Sequence, residues 1–379
     1  MIKLTIESSV LIWARETRFG NQKDIAAKKL GLTVDQLNSW ETSNPEITIS
    51  QLKKISKVYK RHVSVLLLPK RPKSQEPPKF RKLINPGESA LDQKTFLAIR
   101  QAQEIQNNSI FLLQEQKNSF ILQIKKLGLG LDILVQKISN TLGISTETRF
   151  KSKSSHEQLV KWKNILQGQG IIILEHPFPL ADSRAFTLYS EISPLIVLNS
   201  KDTNNAKIFS LFHELGHLIL GQTDLDIKLD LSIDKKNADE FFCNQFAAQM
   251  LVPFDLLKDY IGSRPVDEAL VIDSAIRFKV STAVIWRVLF DQSLISYSKF
   301  TQMKKELSNF NSLVSSDKKP NSGGNKNTYI YTTINRKGEL YISEVFEAYN
   351  SKRISYYDML DYVGVKADAV PKLQRLMFN

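Results

Sequence analysis

A single cysteine, Cys243, stands in a chain of 379 residues. That excludes an internal disulfide, fits a reducing cytoplasm and leaves the thiol the role of a small buried hydrophobe. Long apolar runs are also missing. None reaches about 18 residues and the N-terminus has no signal-peptide core, so a soluble, cytoplasmic protein with no membrane partner is expected. Acidic residues are outnumbered, 39 against 52 Lys and Arg. The resulting net charge of +13 points to a nucleic-acid or acidic partner and says nothing of fold. The length suffices for two or three domains with cores of their own.

Histidine is scarce too, with five copies, yet two of them lie four apart in Ile208–Leu220 as His213-Glu214-Leu215-Gly216-His217. Residues four apart share a helix face, so two imidazoles can reach one metal ion. Glu214 projects beside them, where a carboxylate can take a proton from a metal-bound water. Phe209, Leu211, Leu215, Leu218 and Ile219 make the rest of the helix apolar almost all round, the mark of a helix buried in a domain. Polar groups on such a helix need partners, and zinc is the expected one.

A catalytic zinc needs a third protein ligand and an open position. The next helical pattern, Asn237 to Val252 with Pro253 as terminator, places Glu240 and Asn244 on one face. Glu240 is the expected ligand with Asn244 as its supporting partner. Asp239 is the competitor, pointing about 100° away.

With Glu240, Asn244, Phe246-Ala247-Ala248 and Leu251-Val252-Pro253 following the histidine motif, residues 155–300 resemble the ImmA/IrrE family of zinc metallopeptidases. Ser193 to Asn199 is similar to that family's strand ending in asparagine. Phe209-Ser210-Leu211 departs slightly from the usual Phe-Thr-Leu, and Cys243 stands where the family usually has alanine. The resemblance implies a peptidase that cleaves or inactivates repressors controlling mobile elements and stress responses.

Residues 1–73 hold fourteen Lys and Arg against six Asp and Glu, a net +8. Helices are expected over Ser8–Arg18, Gln22–Leu30, from Thr33 as N-cap, over Ile49–Tyr59 and over Val63–Leu68. This pattern resembles a Xre/Cro-type helix-turn-helix domain. The outward face of its third helix offers Asp35, Gln36, Asn38 and Ser39. Gln36 and Asn38 can pair with adenine edges, and Lys23 and Lys28 with phosphates. The same module can instead dock a protein partner.

Pro69–Pro78 reads as a linker, followed by Phe80-Arg81-Lys82, a short element of two-domain relatives. Leu91–Lys126 reads as a helical hairpin and Ile133–Leu142 as a further helix. A helix to Gln167 then leads to strands at Ile171–Leu174, Phe186–Tyr189 and Leu195–Leu198, whose edge suits an extended substrate. His176 is expected in a loop, Gly221–Lys235 as an acidic loop, and Arg277, Lys279 and Arg287 as solvated helix edges. Asn309–Thr328 is polar and expected to be disordered. Tyr329–Ile334 and Leu340–Ser343 read as a hairpin around Arg336-Lys337-Gly338, with helices after it. This module is expected to dock on the peptidase core or to mediate dimer contacts.

The expected fold is α+β and mostly helical: helix-turn-helix bundle at 1–73, helical bridge at 74–154, zincin-like peptidase domain with a small sheet at 155–308, linker at 309–328 and a small α+β module at 329–379. Two function classes follow. One is a zinc endopeptidase that cleaves a repressor. The other is a DNA-binding regulator whose metal site is structural or vestigial.

Overall fold

The computed structural model describes residues 3–20, 22–59, 61, 63–70, 92–114, 116–125, 129–222, 238–303 and 326–378. Most of the Pro69–Pro78 linker, Phe80-Arg81-Lys82, the loop bearing Asp224, Asp226, Asp230 and Asp234, and residues 309–325 lie outside them. The chain divides into two units, Met1–Gln101 and Ala102–Asn379, the division falling inside the helix Gln93–Leu112.

In the first unit, β1 (Lys3–Thr5) is followed by α1 (Ser8–Phe19), α2 (Lys23–Leu30), α3 (Val34–Thr42), β2 (Glu46–Thr48), α4 (Ile49–Tyr59), α5 (Val63–Leu66) and the start of α6 (Gln93–Leu112). All five expected helices of residues 1–73 form. The antiparallel pair of β1 with β2, Leu4 opposite Ile47, was not legible, because three-residue strands leave too short an alternation to detect. Leu11, Ala14, Ala26, Leu37, Leu52 and Ile55 make the core. Inside it Arg15 Nε lies 2.5 Å from Glu41 Oε1, and Lys23 Nζ lies 3.1 Å from Glu41 Oε2. A lone buried carboxylate would carry a desolvation cost that these two cations offset.

The second unit continues with α7 (Ser119–Lys125), α8 (Leu131–Thr141), α9 (Thr146–Phe150) and α10 (Ser155–Gln167). The sheet β3 (Ile172–His176), β4 (Ala185–Leu188) and β5 (Leu195–Asn199) has the order β3-β5-β4, with β3 parallel and β4 antiparallel to β5. Central β5 is buried along its whole length, which its unbroken Leu-Ile-Val-Leu run reflects. Then come α11 (Asn204–Leu220), α12 (Ala238–Leu251), α13 (Phe254–Ile261), α14 (Glu268–Phe278) and α15 (Thr282–Asp291).

Helix α11 is capped by the Thr203 side chain, which accepts from Ala206 N, and ends at Gly221. It packs against α7, α10, α12, β4 and β5, so every residue from Lys207 to Ile219 is buried. Phe212 meets Trp162 edge-on at 5.2 Å. Each fully buried Leu or Phe here contributes about 1.5–3 kcal/mol. Near its start, Lys207 and the α10 residue Lys163 both pair with Glu175 of β3, at 2.9 and 2.8 Å. Burial pushes the Glu175 carboxyl up, but the two ammonium groups outweigh it and hold the group below the usual carboxylate range.

Four expectations need correction here. The C-terminal module is helical, not α+β: Lys326–Lys337, Glu339–Asn350, Tyr356–Val363 and Val370–Phe378 are helices. The Tyr, Ile and Thr of residues 329–334 favour a strand by propensity, but Ile330, Thr333 and Ile334 bury one helical face, and packing decides. Gly338, at φ +81°, is the break between two helices rather than a hairpin turn. A Cβ there would lie 3.0 Å from the Ile173 carbonyl oxygen of β3. Lys326 to Thr328 belong to the first of these helices, so the disorder expected for them is also wrong. His176 is not a loop residue. It ends β3, buried, with Nε2 3.0 Å from the Arg336 carbonyl oxygen, and burial lowers its pKa to about 4. Finally, Arg287 is fully buried in α15, paired with Asp291 at 2.8 Å and set over the Phe241 ring. Arg277 is exposed, as expected.

The strand edges are not open either. The C-terminal helices pack on β3, and every residue of β4 is buried. Among the described residues no helix is long and apolar enough to cross a membrane.

Candidate metal centre

The four-residue repeat on α11 brings the two imidazoles together, their Nε2 atoms 3.1 Å apart. Glu240, in the first turn of α12, closes the triangle: Oε2 lies 3.3 Å from His213 Nε2 and Oε1 3.5 Å from His217 Nε2. These are the edges expected of a tetrahedral zinc shell, where bonds of about 2.0–2.1 Å separate ligand atoms by about 3.3 Å. Two imidazole lone pairs and a carboxylate converging on one point repel one another unless a cation or a proton lies among them. The donor set therefore fits zinc.

Asp239, the competing ligand, is turned aside. Its Oδ2 accepts from Gln222 Nε2 at 2.9 Å. Asn244 is on the expected face, and it bonds a histidine: His213 Nδ1–H donates to Asn244 Oδ1 at 3.1 Å. An amide oxygen only accepts, so the proton sits on Nδ1 and Nε2 keeps its lone pair toward the cluster. His213, Glu214 and His217 are 0 % exposed, while the Glu240 side chain is 22 % exposed. The cluster thus faces solvent through Glu240.

Glu214 is met from the sheet. The Thr187 hydroxyl of β4 donates to Glu214 Oε2 at 2.6 Å. Thr187 was missed in the sequence, although the signal existed: one hydroxyl in an otherwise apolar buried strand, Ala-Phe-Thr-Leu. Asn199, ending β5, acts as a bracket, its Nδ2 donating to the carbonyl oxygens of Phe178 and Ser183 at 3.0 and 3.1 Å.

Gly216 sets the distance between the two helices. A Cβ there would come within 2.9 Å of Cys243 Sγ and 3.1 Å of its Cα, which explains both the glycine and the buried thiol. In an open helix Gly→Ala gains about 1 kcal/mol. Here overpacking reverses the sign, so Gly216→Ala is expected to cost about 1–3 kcal/mol and to weaken metal retention. Cys243→Ala in the same chain should recover part of both losses, read by chemical denaturation and elemental analysis.

The residues expected to face DNA lie in the first unit. Lys28, Gln36 and Ser39 are exposed, and Lys23 and Asn38 are half-buried. Four of them make local bonds: Lys23 pairs with Glu41, and Ser39 Oγ donates to the Gln36 carbonyl oxygen at 2.8 Å. Gln36 completes a capping box with Thr33, its Oε1 accepting from Thr33 N at 2.9 Å. Asn38 Oδ1 accepts from Lys23 Nζ at 2.8 Å. The Thr33-x-x-Gln36 spacing announced the box in the sequence. What remains for adenine readout is therefore less than the outward face suggested.

No curated protein matches the chain. Residues 166–289, running from the end of α10 through the sheet and both helices of the cluster into α15, match the Peptidase_M78 family, described as the IrrE N-terminal-like domain, and this supports a metallopeptidase-family member.

Proposed function

We propose that the chain is a zinc-dependent endopeptidase acting on a protein partner, a transcriptional repressor of a mobile element or of a stress or defence system. The carrying observation is the convergence of His213, His217 and Glu240 with Glu214 buried beside them. His213, His217 and Glu240 would hold the metal. Bound zinc would polarise the scissile carbonyl and acidify a water. Glu214 would accept the proton and pass it to the leaving amine. Asn244 keeps His213 in the tautomer that leaves Nε2 unprotonated. A purely structural or vestigial metal site gives no use to a fully buried carboxylate next to the ligands, which favours the peptidase over the regulator.

Purified protein is expected to carry one zinc per chain. Glu240→Ala should lose it, with an affinity loss beyond the about 10–100-fold typical of removing a supporting partner, whereas Asp239→Ala should retain it. Elemental analysis that finds the reverse pattern moves the third ligand to Asp239.

For the first unit we propose DNA binding, supported by its net +8 over residues 1–73 and its five-helix order. Affinity should fall steeply with salt. Lys28→Ala should weaken binding on all sequences alike and lower the salt slope by about 1. A gel shift on the DNA upstream of the chain's own gene that shows no complex at low salt assigns the unit to docking the protein partner instead.

A further inference from the structure

Strand β4 is buried throughout, and three of its four residues are Ala185, Phe186 and Leu188. Thr187 adds to them a hydroxyl that valine, of nearly the same shape, would lack, and a buried hydroxyl needs a partner. Its Oγ1 lies 2.6 Å from Glu214 Oε2 and 3.3 Å from the Glu214 carbonyl oxygen. A hydroxyl has one proton to give. The shorter contact falls in the range of charge-assisted O–H···O⁻ bonds, so the carboxylate receives it.

The two partners differ in stiffness. Thr187 is β-branched and restricted at χ1, and its place is fixed by the β4–β5 register, where it lies opposite Ile196. Glu214 reaches its position through three rotatable bonds, and a long side chain of this kind loses much rotamer freedom when it is held. A catalytic base must sit within hydrogen-bond reach of the proton it takes, and small misplacements are costly.

We propose that Thr187 is a positioning residue for Glu214: its hydroxyl holds Oε2 and so fixes the carboxylate beside His213 and His217. The sheet thereby acts on the chemistry directly, through a bond from β4 to the helix that carries the histidines. The inference rests on the peptidase reading of Glu214.

The test uses full-length, zinc-loaded protein and acetohydroxamate, a small zinc chelator that gives up a proton to a neighbouring carboxylate as it binds. Calorimetry compares wild type with Thr187→Val, Thr187→Ser, Glu214→Gln and the Thr187→Val, Glu214→Gln pair. Zinc content should be equal in all. Thr187→Val should bind acetohydroxamate about ten- to hundredfold more weakly, the loss expected for a hydrogen bond to a charged group. Thr187→Ser, which keeps the donor, should stay within about threefold of wild type, that is, inside the scatter of single-interaction values. In the Glu214→Gln background Thr187→Val should have little further effect, because the pair acts as a unit.

Thr187→Val binding as wild type does, or Thr187→Ser as weak as Thr187→Val, overturns the proposal while leaving Glu214 in place. A wild type that binds acetohydroxamate no better than Glu214→Gln overturns the peptidase reading and the proposal together. Should Thr187→Val fail to fold, Thr187→Ala replaces it, and equal binding by the Ala and Ser variants is then the overturning result.

Discussion

Glu214→Gln is expected to lower cleavage of the partner protein by about 10²–10⁴-fold, the usual worth of a positioned general base, with zinc content unchanged. The substitution keeps length, shape and an oxygen able to accept from Thr187, whose hydroxyl lies 2.6 Å from Oε2. What it removes is basicity. Glu214 is not part of the His213, His217, Glu240 triangle, so metal retention should not follow the loss. The fall should appear mainly in kcat rather than in KM, as expected when an interaction made only in the transition state is lost. The measurement is cleavage of the proposed repressor substrate under single-turnover conditions beside elemental analysis of the same preparation. Unchanged cleavage would place the base elsewhere, and joint loss of zinc and cleavage would make Glu214 a ligand.

The second large effect lies far along the chain, in the helix Glu339–Asn350. Glu344 is half-buried, and Ser109 Oγ donates to its Oε2 at 2.6 Å. Burial pushes its pKa up to about 7, with the Ser109 hydrogen bond opposing and the nearby Glu347 charge adding to the rise. The group is raised in the folded state, so the folded protein binds the proton more tightly than the unfolded chain does. The stability it confers is fully present below the ordinary carboxylate pKa and is lost as pH rises toward 7, where it levels off. At about 1.4 kcal/mol per pKa unit the whole swing is about 3 kcal/mol. Glu344→Gln stays neutral and can still accept from Ser109. It should match wild type near pH 4 and exceed it by up to about 3 kcal/mol at pH 8, in denaturant unfolding followed at both pH values. Parallel curves for the two proteins would mean that Glu344 is solvated in solution.

The cluster of His213, His217 and Glu240 was legible because the geometry that gathers it is local. A four-residue repeat needs only a helix to bring His213 and His217 together, and the 3.1 Å between their Nε2 atoms shows it. Glu240 was legible through its spacing from Asn244, but the bond of Asn244 to the first histidine was not. Its partner, His213, lies 31 residues away in sequence, so no pattern within one helix could name it. Gln36 shows a competing local use. Its outward position suggested readout, while the Thr33 cap three residues earlier claims its oxygen.

By itself, the sequence determined the five helices of residues 1–73, the apolar surround of α11 and the cluster of two imidazoles with a carboxylate from the next helix. These follow from periodicity, capping and breaker residues, which act over a few positions. Only the tertiary structure decided the rest. It chose helices over a hairpin at residues 329–343, because burial of the faces bearing Ile330, Ile334, Tyr341 and Val345 outweighs strand propensity. It buried Arg287 against Asp291 and Phe241, turned Asp239 toward Gln222 and aimed Thr187 at Glu214. Each of these depends on which elements become neighbours, and a buried polar group takes whatever partner that packing brings within hydrogen-bond reach.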